Sequence, residues 1–219
     1  MLNINKADLF RHHEPRSWSD RFALGVAKLI DSCAGGLLSR RYGHRVIVLE
    51  TVAAVPSMVA ATLLHLKCLR LMIDDRGWIR AFMEEAENQR AHLMAFVALK
   101  HPRASERLMI ALAQGVFYNA YFLLYLISAR TAHRLAAYLA EQSVRGYSDY
   151  LRRLDDGSEE ILAAPPLAVA YWDLAAGAMV NEMIVAIRED EAIHRDIHHA
   201  FADALVAGER FPDRFGPTV

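Results

Sequence analysis

Apolar residues recur at the three-and-four spacing of a helix through most of this chain, and no segment sustains the every-second-residue alternation of a strand. That property confines the chain to all-α architectures. The expected helices cover about 17–32, 44–72, 78–100, 105–128, 132–154 and 176–207, with a short one after Pro166. Ser17 or Ser19 can cap the first, and the Gly35-Gly36 pair is expected to end it. Pro56 should bend the second helix rather than stop it, because the apolar pattern resumes at once. Asp74, Asp75, Arg76 and Gly77 read as a turn. With 219 residues, 54% of them apolar, one core suffices. The expectation is a single helical domain over 1–219, in which 1–15 form an N-terminal arm and 208–219 a tail.

Composition removes some functions. A net charge of −1 argues against a nucleic-acid binder, which needs clustered Lys and Arg against phosphates. Cys33 and Cys68 are too few for a disulfide framework and are expected to pack as small apolar groups. The polar start lacks the apolar centre of a leader peptide. Residues 108–129 carry no charge, which leaves three readings open: a bilayer crossing, a buried core helix, or a helix lying in the membrane interface. The aromatic residues Phe117, Tyr118, Tyr121, Phe122 and Tyr125 suit the interface.

The chemistry lies in Asp190-Glu-Ala-Ile-His-Arg-Asp196. Positions three apart on a helix share a side, so Glu191 and His194 can grip one metal ion, and helix bundles use two such motifs plus two lone glutamates to hold a pair of irons. An earlier stretch, Glu87-Asn-Gln-Arg-Ala-His-Leu93, repeats the spacing with a neutral Gln89 before His92. Glu50 stands in the otherwise apolar run Val46-Ile-Val-Leu-Glu-Thr-Val-Ala-Ala54, where burying a carboxylate is costly without a partner or metal. The pairs His12-His13 and His198-His199 read as solvated or capping residues, and His65 as a surface or core-edge histidine.

Leu49-Glu-Thr51, Glu84-Glu-Ala-Glu-Asn-Gln-Arg-Ala-His-Leu93 and Asp190-Glu-Ala-Ile-His-Arg-Asp196 resemble the signature segments of the alternative oxidases, di-iron quinol oxidases of respiratory membranes. Ser19-Asp-Arg-Phe-Ala-Leu24, Asp75-Arg-Gly-Trp78 and Tyr171-Trp172 add to the resemblance, which extends from His13 to Asp203. It implies a ferritin-like four-helix bundle of the second, third, fifth and sixth long helices, with the first and fourth as two additional membrane-facing helices. It also implies a monotopic, peripheral protein of an inner membrane, on the cytoplasmic side if bacterial, working as a homodimer on quinol and dioxygen with non-haem iron. Glu50, His92, Glu191 and His194 fall on metal positions. Tyr147 matches a catalytic tyrosine beside the metals, a candidate for proton-coupled electron transfer. Arg45, Leu49, Arg16 and Asp20 match the substrate pocket, and Asn88, Asp190 and Trp172 match groups that hydrogen-bond to the ligands.

Two departures stand out. The family pattern expects glutamate where Gln89 lies and a ligating glutamate where Ala140 lies. Glu141 is next to it but about 100° around the helix, and Glu85, one turn before Gln89, shares its face; either is a possible substitute ligand. Four carboxylates balance two ferrous ions, whereas Glu50 and Glu191 alone leave excess positive charge, so one ion or weak occupancy is expected. Besides a quinol oxidase, a divergent non-haem iron oxygenase or hydroxylase on a lipophilic or quinone-like substrate, and a non-catalytic relative with a degenerate metal site, fit the same residues.

Overall fold

A computed structural model describes residues 9–38, 42–100 and 104–208. They form seven helices: α1 (Trp18–Leu38), α2 (Tyr42–Leu71), α3 (Trp78–Lys100), α4 (Ala104–Ile127), α5 (Ala129–Asp155), α6 (Pro166–Tyr171) and α7 (Val180–Val206). The described residues contain no strand beyond a single bridge between Ala163 and Met179. The fold is all-α.

Local chemistry sets several helix starts. Ser17 Oγ accepts from the Asp20 amide at 3.1 Å while Asp20 Oδ2 accepts from the Ser17 amide at 3.0 Å, a reciprocal cap on α1. Asp75 Oδ2 takes the Ile79 amide at 2.7 Å at the start of α3, and Ser128 takes the Thr131 amide at 3.2 Å at the start of α5. The Ser128 cap places the start of α5 at Ala129, earlier than the apolar pattern suggests.

Two boundaries differ from expectation for physical reasons. α1 continues through Gly35-Gly36 to Leu38, since a glycine inside a helix costs only about 1 kcal/mol and no proline or capping group follows it directly. α7 begins at Val180 instead of 176, because Gly177 holds a φ of 86°, which no right-handed helix accommodates. Pro56 lies inside α2 and does not end it.

α5 packs along α7 and α2 along α3, making the four-helix bundle, while α1 lies on α5 and α4 on α2 and α5. Val46, Ile47, Phe96, Tyr150 and Ile184 fill one end, and Val55, Val59, Tyr121 and Tyr138 join α1 and α4 to the bundle. α4 is not the buried core helix that one reading allowed: within its apolar stretch Ile110–Ile127 only 6% of residues are buried. Leu112, Val116, Leu123 and Ile127 stand exposed on it, as do Trp18, Phe22 and Leu29 on α1.

α1 is tied down by a buried charge. Asp20 accepts from Arg134 Nε at 3.2 Å and lies 3.4 Å from Arg130 Nη2. Burial raises the Asp20 carboxyl, but the Ser17 hydrogen bonds and Arg134 outweigh it and hold the pKa below the usual value of 3.8. Because the folded pKa is depressed, this stability is present above the usual carboxylate range and is lost as the pH falls through the folded value. Asp20→Asn should therefore cost about 2 kcal/mol in denaturant unfolding at neutral pH, less than for a deeply buried pair because Arg130 stays partly solvated. The difference from the parent should shrink in acid.

Candidate metal centre

Four bundle helices bring the expected residues together. Glu50 on α2, His92 on α3 and Glu191 on α7 are fully buried, and one ligand atom from each lies within 4.8 Å of the other two. His92 Nδ1 is 3.3 Å from both Glu50 Oε2 and Glu191 Oε1, and His194 Nδ1 is 3.7 Å from Glu191 Oε1. Gln89 is bound into the same group: its Nε2 donates to Glu191 Oε1 at 2.7 Å and lies 2.9 Å from His194 Nδ1. Tyr147 on α5 donates to Glu50 Oε1.

The groups that hold His92 are also in place. Asp190 Oδ2 lies 3.2 Å from His92 Nε2 and accepts from Asn88 Nδ2 at 2.7 Å and from Trp172 Nε1 at 2.8 Å. A carboxylate on Nε2 fixes the ring so that Nδ1 faces Glu50 and Glu191, the arrangement that sets tautomer and orientation of a ligating histidine. The Trp172 and His92 rings stack at 5.7 Å.

Electrostatics separates the two glutamates. Burial drives the Glu50 carboxyl up, more than its bonds to His92 and Tyr147 pull it down. Burial also opposes ionisation of Glu191, yet its bonds to His194 and His92 win and hold it well below the ordinary value. Burial alone would lower His92, but Asp190, Glu191 and Glu50 together raise it well above 6.5. Burial thus favours a proton on Glu50 while the surrounding carboxylates favour protons on His92, and a cation entering the cluster displaces them.

Two buried acceptor atoms fit such a cation. Glu191 Oε2 and Gln89 Oε1 have no hydrogen-bond partner, and an orphaned buried acceptor costs about 1–3 kcal/mol. Oxygen and imidazole donors of this kind suit a first-row transition ion. On the α5 side the donor set is incomplete: Ala140 lines a cavity of about 10 Å³ with Glu85, Gln89, Glu191, His194 and His198, a space near that of one water molecule.

Not every expected residue joins the centre. Glu141 is buried but turned away, accepting from His12 Nδ1 at 2.6 Å, the His13 amide at 3.1 Å and His199 Nε2 at 3.0 Å. The rotation that separates neighbours on a helix decides this, so Glu141 does not stand in for the side chain that Ala140 lacks. Leu49 borders two cavities of about 20 Å³ each with Asp31, Gln142 and Ser143, one of them reaching Glu50 and Tyr147. Asp20 instead binds Arg134 and the Arg16 amide, and exposed Arg16 stands with it, so neither lines those cavities. The Arg45 side chain falls outside the described residues.

The paired histidines are corrected as well: His198 and His199 are buried, and His12 bonds to Glu141. Arg134 Nη1 lies 2.7 Å from His199 Nδ1. His198 Nε2 lies 2.9 Å from Glu85 Oε1. The signal for this was the i,i+4 spacing of Glu85 to Gln89 and of His194 to His198, which sets a second polar layer one turn from the first. His65 is exposed as expected; Cys33 is exposed rather than packed, and Cys68 is buried.

A four-helix bundle with buried carboxylates and imidazoles converging from facing helices is the arrangement with which helix bundles can hold metal ions. Comparison narrows the class. A profile of the family described as alternative oxidase matches residues 4–203, and the chain belongs to that family. It is 44% identical over 96% of its length to a mitochondrial ubiquinol oxidase of Mangifera indica, covering 66% of that protein. It is 42% identical over the same share to the mitochondrial ubiquinol oxidase 2 of Arabidopsis thaliana, covering 60% of it. The chain thus spans less than two thirds of the length of these relatives.

Proposed function

We propose that this protein is a membrane-surface quinol oxidase that passes electrons from a quinol to dioxygen at a non-haem iron centre held by Glu50, His92, Glu191 and His194. The observation that carries this reading is the Glu50, His92 and Glu191 cluster, with its orphaned acceptor oxygens, in a chain of the alternative oxidase family. Iron supplies the capacity to bind dioxygen and accept electrons singly, which side chains lack.

The protein's own residues supply the rest. The cavity beside Leu49 reaches Tyr147 and Glu50 but at about 20 Å³ holds no more than a water or two, so a quinol ring must widen it to meet the phenol that bonds to Glu50. Tyr147 is the group through which a proton passes between quinol and Glu50 carboxylate. Asp190, gripped by Asn88 and Trp172, keeps His92 oriented. Two ions are the family expectation, but Gln89 and Ala140 remove two negative charges, so one ion is held firmly and a second weakly. The exposed apolar residues of α1 and α4 support a helix pair lying on the bilayer interface.

The test is oxygen uptake. Iron-loaded protein in detergent should consume dioxygen when given a short-chain quinol, one dioxygen for every two quinols; no uptake sinks the reading. The missing Ala140 carboxylate favours one second reading, an oxygenase acting on a lipophilic substrate. Labelled dioxygen separates the two, since the oxidase puts all label into water.

A further inference from the structure

Next to the metal centre a second polar layer crosses the bundle. Tyr125 Oη on α4 is 3.1 Å from His133 Nε2 on α5; His133 Nδ1 is 2.8 Å from His198 Nδ1 on α7; His198 Nε2 is 2.9 Å from Glu85 Oε1 on α3. Ser57 Oγ on α2 also donates to Glu85 Oε1, at 2.5 Å. His133, His198 and Glu85 are buried, and Tyr125 is half-buried. The layer ends at the cavity: Glu85 lines it with Gln89, Glu191 and His194, and Glu85 Oε2 is buried without a hydrogen-bond partner.

Burial and the hydrogen-bond geometry together favour one resting order of protons. Burial pushes the Tyr125 phenol up, so it stays protonated and donates to His133 Nε2. Burial holds the His133 imidazole well below its ordinary pKa, so the ring is neutral, and with Tyr125 donating to Nε2 its proton sits on Nδ1. His198 then accepts at Nδ1 and carries its proton on Nε2, aimed at Glu85. Burial opposes ionisation of Glu85, but the hydrogen bonds it accepts from His198 and Ser57, with His194 nearby, hold its carboxyl below the ordinary range. Every donor faces an acceptor, all in the same direction.

We propose that Tyr125, His133, His198 and Glu85 form a proton wire leading from the α4 side of the bundle to the metal cavity. When a proton arrives at the Tyr125 oxygen, the phenol proton moves to His133 Nε2, the His133 Nδ1 proton to His198 Nδ1, and the His198 Nε2 proton to Glu85. One proton enters, one is left on Glu85, and nothing is oxidised or reduced. A purely structural network would close on itself, whereas this one ends in an unpartnered oxygen of a residue bordering the metal site, and it places polar groups from five helices where apolar packing would serve stability as well. The role rests on the oxidase reading, in which each dioxygen reduced to water takes up four electrons and four protons.

Tyr125→Phe removes the entry hydroxyl and keeps the packed ring. With iron content unchanged, kcat for quinol oxidation should fall about tenfold, at the low end for loss of a proton-transfer group, with KM within about twofold and an altered solvent isotope effect. Parent values of kcat and isotope effect in this variant overturn the wire. A readout that needs no turnover separates its failure from that of the oxidase reading: nitrogen-15 histidine spectra of the zinc-loaded protein. Neutral His133 with its proton on Nδ1 and neutral His198 with its proton on Nε2 are expected. A His198 protonated on both nitrogens beside a His133 protonated on Nε2 marks a fixed ion pair and overturns the proposal.

Discussion

Glu191→Ala is expected to strip the centre of firmly held iron, weakening binding by at least about 100-fold, since groups that merely orient ligands are already worth 10–100-fold. Glu191 is the hub of the cluster: it accepts from Gln89 at 2.7 Å, lies 3.3 Å from His92 and 3.7 Å from His194. Its loss removes the ionised carboxylate of the pair and leaves both buried imidazoles without that counter-charge. Glu141→Ala is the matching control, because that carboxylate is taken up by His12 and His199. Its iron content should equal the parent's. If Glu191→Ala binds iron as the parent does, or Glu141→Ala loses it, the ligand set is wrong; competition against a calibrated chelator measures both.

The double variant Gln89→Glu, Ala140→Glu should gain a second firmly bound ion, with at least about 100-fold higher affinity for it. The reason is charge: two carboxylates oppose two ferrous ions now, and the variant supplies four. Without metal the same change is costly. Two more anions enter a buried site already holding Glu50 and Glu191, and the cavity at Ala140, about 10 Å³, is too small for a new side chain without displacement of its lining. The metal-free variant should therefore unfold about 3 kcal/mol more easily than the metal-free parent, and metal should restore it by binding only the folded chain. A second ion bound equally weakly in both proteins would show that Gln89 and Ala140 do not limit the site.

Much of this was legible in the residues, and what was not has a common cause. Helical periodicity located α2 through α5, because an amphipathic pattern records burial directly. Glu50 announced itself as a lone acid in an apolar run, and the spacing of Glu191 to His194 placed both on one face. Partners across helices left no such mark. Nothing local shows that Glu141 turns to His12 and His199, that Asp20 binds Arg134, or that His198 meets Glu85 and His133. His198 and His199 looked solvated because a charged, polar run usually is; here the bundle buries both and pairs each with a carboxylate. The continuation of α1 past two glycines and the late start of α7 likewise depend on small local energies that a pattern of apolar residues does not record.

Glu50, His92, Glu191 and His194 are expected to hold a transition ion although two carboxylates of the family pattern are missing. Metal analysis of the purified chain after ferrous iron loading and gel filtration decides this. At least one iron per chain in the parent and none in Glu191→Ala is the predicted result; no retained iron in the parent would contradict it.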